Sequence, residues 1–124
     1  MTETRTLNKE LAQRVLDQVL FHPELHDQNT WAESIPERLR TAPITAALLE
    51  ECGTRACIAG WTCILDEGTE VQIDEGGYPY LEDKTFAEHA TELLGLTTQQ
   101  AHEIFYETSS MAAAGKLHAL LEEE

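Results

Sequence analysis

Cys52-Gly-Thr-Arg-Ala-Cys-Ile-Ala-Gly-Trp-Thr-Cys63, running on through Ile64-Leu-Asp-Glu67, is the stretch whose reading decides the fold. Thr54 is a residue type that caps helices, and Gly68 is a natural helix stop, so the spacing predicts a helix over about 54–67. Ala56 to Leu65 leave it almost no polar face, and an apolar helix of that kind belongs at the centre of a domain. Cys57, Gly60, Trp61 and Ile64 are therefore expected in the core. The small residues Ala56, Ala59, Gly60 and Cys63 share one side, where another backbone can come close.

The remaining elements are arranged around that helix. Leu7, Leu11, Val15, Leu16, Val19 and Leu20 recur at helical spacing over 7–21, and Pro23 ends the run. Trp31 and Ile35 are apolar anchors in a polar stretch. Ser34-Ile-Pro-Glu37 matches a capping box and predicts a short helix near 35–41. Another short helix is expected over 44–51, closed by Gly53. Glu70-Val-Gln-Ile73, the turn Asp74-Glu-Gly-Gly77 and Tyr78-Pro-Tyr-Leu81 read as a hairpin over about 70–81, with Pro79 restricting its second strand to an edge. Two capping boxes follow, Thr85-Phe-Ala-Glu88 and Thr97-Thr-Gln-Gln100, each opening a helix. Ser109 or Ser110 starts a final one. The predicted fold is mainly α: a compact bundle of about five helices around a buried central helix, with one small β-hairpin. The chain is read as one domain over 1–124, with 1–5 and 122–124 frayed.

Charge narrows the function. The chain of 124 residues has a net charge of −15. Residues 1–55 hold 9 acids against 6 bases, whereas 56–124 hold 14 acids against 2. Such a field repels phosphates and anionic lipids, so direct nucleic-acid or membrane binding is not expected and a protein partner with a basic surface is. No apolar run approaches the roughly 20 residues of a membrane span, and the first residues lack the pattern of a signal peptide, which makes the cytoplasm the simplest location.

The cysteines raise the question of a site. Cys52, Cys57 and Cys63 lack the close pairing of structural zinc ligands. Six residues apart on a helix, Cys57 and Cys63 point about 120° apart at roughly 100° per residue, so they cannot share a metal or a disulfide there. They read as small buried hydrophobes. A sharper alternative makes Cys57 a nucleophile, its thiol acidified by a helix N-terminus beside Arg55. His22 and His26 are spaced for a metal, but Pro23 breaks the helix they would need. No cofactor or metal is implied, and no phosphate-binding glycine loop or nucleotide fingerprint is present. What remains is a surface: Tyr78 and Tyr80, two apart on the hairpin, with Asp74, Glu75, Glu82 and Asp83 around them.

Cys52-Gly-Thr-Arg-Ala-Cys-Ile-Ala-Gly60, with Gln28-Asn-Thr-Trp31 before it and Ala90-Thr-Glu-Leu-Leu-Gly-Leu-Thr97 and Phe105 after it, resembles a family of small proteins of unknown function common in bacteriophages of actinobacteria. The resemblance spans most of residues 7–105 and implies a phage or prophage origin, with no activity attached. Where that family often has histidine after the Ala-Gly pair, this chain has Trp61, so any chemistry resting on that histidine is absent here. The expectation is a non-enzymatic interaction protein acting on a host or phage protein. The alternatives are a nucleic-acid mimic, in which carboxylates copy a phosphate track, and a thiol-dependent enzyme or redox protein using Cys57.

Overall fold

The computed structural model describes residues 7–28, 30–37, 44–66, 68–82, 84–107 and 109–123, without the side chain of Cys52. Among these residues, six α-helices run in chain order: α1 (Lys9–Phe21), α2 (Ala46–Cys52), α3 (Ile58–Leu65), α4 (Phe86–Leu94), α5 (Thr98–Phe105) and α6 (Ser110–Glu123). A two-stranded antiparallel hairpin, β1 (Gln72–Ile73) and β2 (Pro79–Tyr80), lies between α3 and α4. Among the described residues, no helix is long and apolar enough to cross a membrane.

The central helix lies within the expected stretch but ends at Leu65 with Asp66 as its C-cap, short of Gly68, and it packs against α1, α2, α4 and α5. Every residue from Ile58 to Ile64 is buried. A helix buried on all sides must satisfy its polar atoms internally. Thr62 does so by donating its hydroxyl to Ile58 O at 2.7 Å. The Trp61 indole donates to Leu25 O at 3.0 Å, and the Cys63 thiol donates to Phe86 O at 3.6 Å.

The start of α3 differs from the expectation. Thr54 does not cap it; the helix begins at Ile58 and Cys57 is its cap. The backbone before it is extended and bonded on both sides. Ala56 N–H donates to Leu25 O, Asp27 N–H to Ala56 O, Glu33 N–H to Arg55 O and Cys57 N–H to Thr30 O, all between 2.9 and 3.1 Å. Residues 55–57 thus form a strand-like insert between 25–27 and 30–33, and those bonds outweigh the earlier helix start. Thr54 instead closes α2: its N–H donates to Leu49 O beyond Gly53, which adopts the left-handed conformation at φ 70°.

The close approach predicted beside Gly60 is made by a loop. A Cβ on Gly60 would lie 1.9 Å from Trp31 O and 3.1 Å from Ala56 Cβ. It is thus the Trp31 backbone that enters the core, while its ring stays 39% exposed. Ser34 does not cap a helix either. Its hydroxyl donates to Gly76 O at 2.7 Å and Ile35 N–H donates to Gly77 O at 2.8 Å, which pins the hairpin turn to the loop. The rest of the helix expected near 35–41 lies outside the described residues.

The later caps match their sequence signals. Thr97 and Gln100 form a reciprocal capping box. Thr85 Oγ1 accepts from Glu88 N–H, but the Glu88 carboxylate accepts from the Thr85 hydroxyl at 3.2 Å, so only the Thr85 half of that expected box forms; Gly95 ends α4 in the left-handed conformation. Ser109 Oγ accepts from Ala112 N–H at the start of α6. Leu20, expected on the buried face of α1, is 57% exposed instead.

Candidate functional site

The main groupings of chemistry-bearing side chains among the described residues lie at the loop junction at Cys57, on the hairpin, and in a cleft between α1 and α6.

At the junction the organising residue is Gln28, which is buried. Ile58 N–H lies 2.7 Å from its Oε1, and an amide N–H can only donate, so that atom is the acceptor. Its Nε2 then donates to Ile104 O at 3.1 Å, with Phe105 O and Glu107 O at 3.5 and 3.4 Å. One side chain therefore binds the N-terminus of α3 and the C-terminus of α5, where helices leave unsatisfied groups. The same Oε1 lies 2.8 Å from His26 Nε2, which must carry the ring proton. Burial holds the His26 pKa below the ordinary 6.5, against the opposing pull of Gln28 and Asp27. Ser110 Oγ accepts from Gln28 N–H at 3.2 Å and ties α6 to the same point. In the sequence Gln28 stands out only within Gln28-Asn-Thr-Trp31, and a glutamine in a polar loop gives no signal of its own burial.

Cys57 sits among these bonds. Its Sγ accepts from Gly60 N–H at 3.4 Å and its thiol donates to Trp31 O at 3.9 Å. Helix amides lower a thiol pKa, but here desolvation is the larger effect. It pushes Cys57 up to about 11 and Cys63 up to about 12. Cys57 is a neutral thiol at physiological pH, which is the reverse of an activated nucleophile. The arrangement does explain the spacing Cys57-x-Ala59-Gly60: sulfur caps the helix and holds the Trp31 carbonyl, and Gly60 leaves room for it.

The hairpin residues are placed differently. Tyr78 and Tyr80 are 52% and 42% exposed, while Pro79 between them is buried. Asp74 is committed to the turn, where its Oδ1 accepts from Gly76 N–H and Tyr78 N–H at 2.9 Å each. Glu75 and Glu82 are exposed, and Asp83 lies outside the described residues. Tyr78 also lines a shallow recess of about 460 Å³ with Asp27, Thr30, Glu33 and Ser34. The acids there are engaged: Arg55 holds Glu33 through both carboxylate oxygens, at 3.1 and 2.7 Å, and this keeps the Glu33 pKa below its usual value.

The third place was not foreseen. A cleft of about 540 Å³ opens between Val19 and Leu20 of α1 and Met111 and Gly115 of α6, with His26 and His118 on its walls. His22 and His26 do not converge, for His22 lies beside Glu24 and Glu50. Among the described residues, no group of three His, Cys, Asp or Glu is arranged to hold a metal ion.

Asp66, Thr69 and His89 form a further linked set of polar side chains. Thr69 donates to Asp66 Oδ2 at 2.6 Å, so His89 Nε2, 2.7 Å away, donates to Thr69. With its proton held by a carboxylate and its lone pair by a histidine, the hydroxyl clasps the 66–69 loop onto α4.

No protein-family model, curated protein or solved structure matches the chain.

Proposed function

We propose that this protein is a non-enzymatic interaction module that binds a host or phage protein through an acidic, tyrosine-bearing surface in the host cytoplasm. The observation that carries this reading is the pair of exposed tyrosines on a pinned hairpin, with Glu75 and Glu82 exposed nearby. Tyrosine supplies large contact area at low entropic cost and is enriched in binding hot spots. Two carboxylates beside it, in a chain of net charge −15, steer a basic partner and repel nucleic acid. The neutral, buried Cys57 supports this reading over the thiol-dependent one. The resemblance to phage proteins supports a partner from the host or the phage itself.

The test is affinity capture with the tagged chain at low and at high salt, beside the double variant Tyr78→Ala/Tyr80→Ala. A basic protein retained at low salt, released by high salt and lost in the variant supports the reading. Capture of nothing, or equal capture by the variant, overturns it. Displacement of the captured protein by added DNA assigns the surface as a nucleic-acid mimic.

A further inference from the structure

The cleft between α1 and α6 holds two features that the fold itself does not explain. The first is exposed apolar surface. Met111 is 86% exposed and Leu20 57% exposed, and both line the same cleft. Exposed apolar side chains gathered at one concave place mark a binding surface more often than chance does. Methionine is common on surfaces that receive helices, because its side chain reshapes itself to the partner.

The second is Gly115. It lies inside the 14-residue helix α6, where glycine is the least favourable residue after proline. At Gly60 the absence of a side chain is required by the Trp31 carbonyl. At Gly115 a Cβ would meet nothing within 4 Å, and the backbone angle does not demand glycine. Among the described residues, nothing uses the space. Ala114 and Gly115 form a low floor beside Met111, and a low floor suits a backbone approaching from outside.

The electrostatics choose the occupant. Among the described residues, no lysine or arginine lines the cleft. Exposed Glu24 follows its wall residue Pro23, and exposed Glu122 contacts its wall residue His118 at 3.2 Å. A second copy, also at −15, is repelled; a cationic partner is attracted. A groove between two helices accepts a third through anchors at helical spacing. We propose that this cleft is a docking groove for an amphipathic helix of a partner protein, with its apolar face on Leu20, Met111 and Gly115 and its lysines or arginines toward Glu24 and Glu122. This surface shares no residue with the hairpin, so it stands whatever becomes of the hairpin reading.

The experiment uses the full ¹⁵N-labelled chain and a synthetic peptide of about 18 residues, roughly five helical turns, with leucine on one face and lysine on the other. The controls are a peptide of the same composition in scrambled order and one with glutamate in place of lysine. The expected result is saturable binding of the amphipathic lysine peptide alone. Amide shifts should gather at Leu20, Met111, Ala114 and Gly115 and leave Tyr78 and Tyr80 unmoved. Gly115→Leu, which fills the floor, and Met111→Glu, at an exposed position, should each weaken binding on the order of tenfold. Equal binding of the scrambled peptide, shifts elsewhere, or unaltered binding by both variants overturns the proposal. So does a concentration-dependent dimer abolished by Met111→Glu, which would give the groove to a second copy.

Discussion

Replacing Gln28 by leucine removes one side chain of similar size and leaves several buried groups without partners. Ile58 N–H loses its acceptor at 2.7 Å and His26 Nε2 loses its acceptor at 2.8 Å. Ile104 O loses its donor at 3.1 Å. An unsatisfied buried group costs roughly 1–3 kcal/mol, and partial relaxation brings the sum to about 3–5 kcal/mol. Total stability for a domain is about 5–15 kcal/mol, so the variant should fold but melt about 10–20 °C lower. Gln28→Glu separates the two halves of the interaction. It keeps an acceptor for Ile58 and His26 but sets a carboxylate against the carbonyls of Ile104, Phe105 and Glu107. Its stability deficit should therefore shrink as the pH falls and the carboxylate takes a proton. Thermal and urea unfolding measure both variants, and hydrogen exchange at Ile58 reports the cap directly. If Gln28→Leu unfolds within about 1 kcal/mol of the parent, or Ile58 exchange is unchanged, the assigned role is wrong.

The two contrasted glycines should respond in opposite directions. Gly60→Ala forces a Cβ to 1.9 Å from a backbone oxygen, and denaturant titration should show a loss of about 3 kcal/mol; Gly115→Ala meets no atom and should gain about 0.5–1 kcal/mol. His26 titrates below 6.5 when folded, so the unfolded chain binds the extra proton first. Its contribution is complete above pH 6.5 and is lost as the pH falls through the lowered value; urea midpoints from pH 8 to 5 should drop more steeply in the parent than in His26→Gln. Cys57 and Cys63, with thiols near 11 and 12 and buried, should resist iodoacetamide in the native chain and react once it is denatured, as read by site-resolved mass spectrometry.

The elements with local signals were legible. Thr85, Thr97 and Ser109 announce helix starts through side chains that reach their own backbone, and Gly53 and Gly95 announce stops through a conformation other residues avoid. The buried character of Ile58–Ile64 followed from the absence of a polar face. What the sequence concealed was long-range. Thr54 has the type and position of a cap, but residues 55–57 are drawn into backbone bonds with 25–33, and no local pattern reports that pairing. Trp31 reads as an apolar anchor by its ring, whereas its carbonyl is the part that enters the core. The α1–α6 cleft was invisible for the same reason: Leu20 fits the apolar period of α1, and its exposure depends on where α6 crosses.

The Gln28 side chain also governs the order in which the chain can mature. It joins residues 30 positions away at Ile58, 76 at Ile104 and 82 at Ser110. Contacts so distant along the sequence raise the contact order, and the entropy of closing those loops is spent before the bonds repay it. As the chain leaves the ribosome, α1 and α3 can meet early, but the glutamine has no carbonyls to receive its amide until α5 has emerged. The bonds of Gln28 to Ile104 and Ser110 therefore form after those to Ile58 become available.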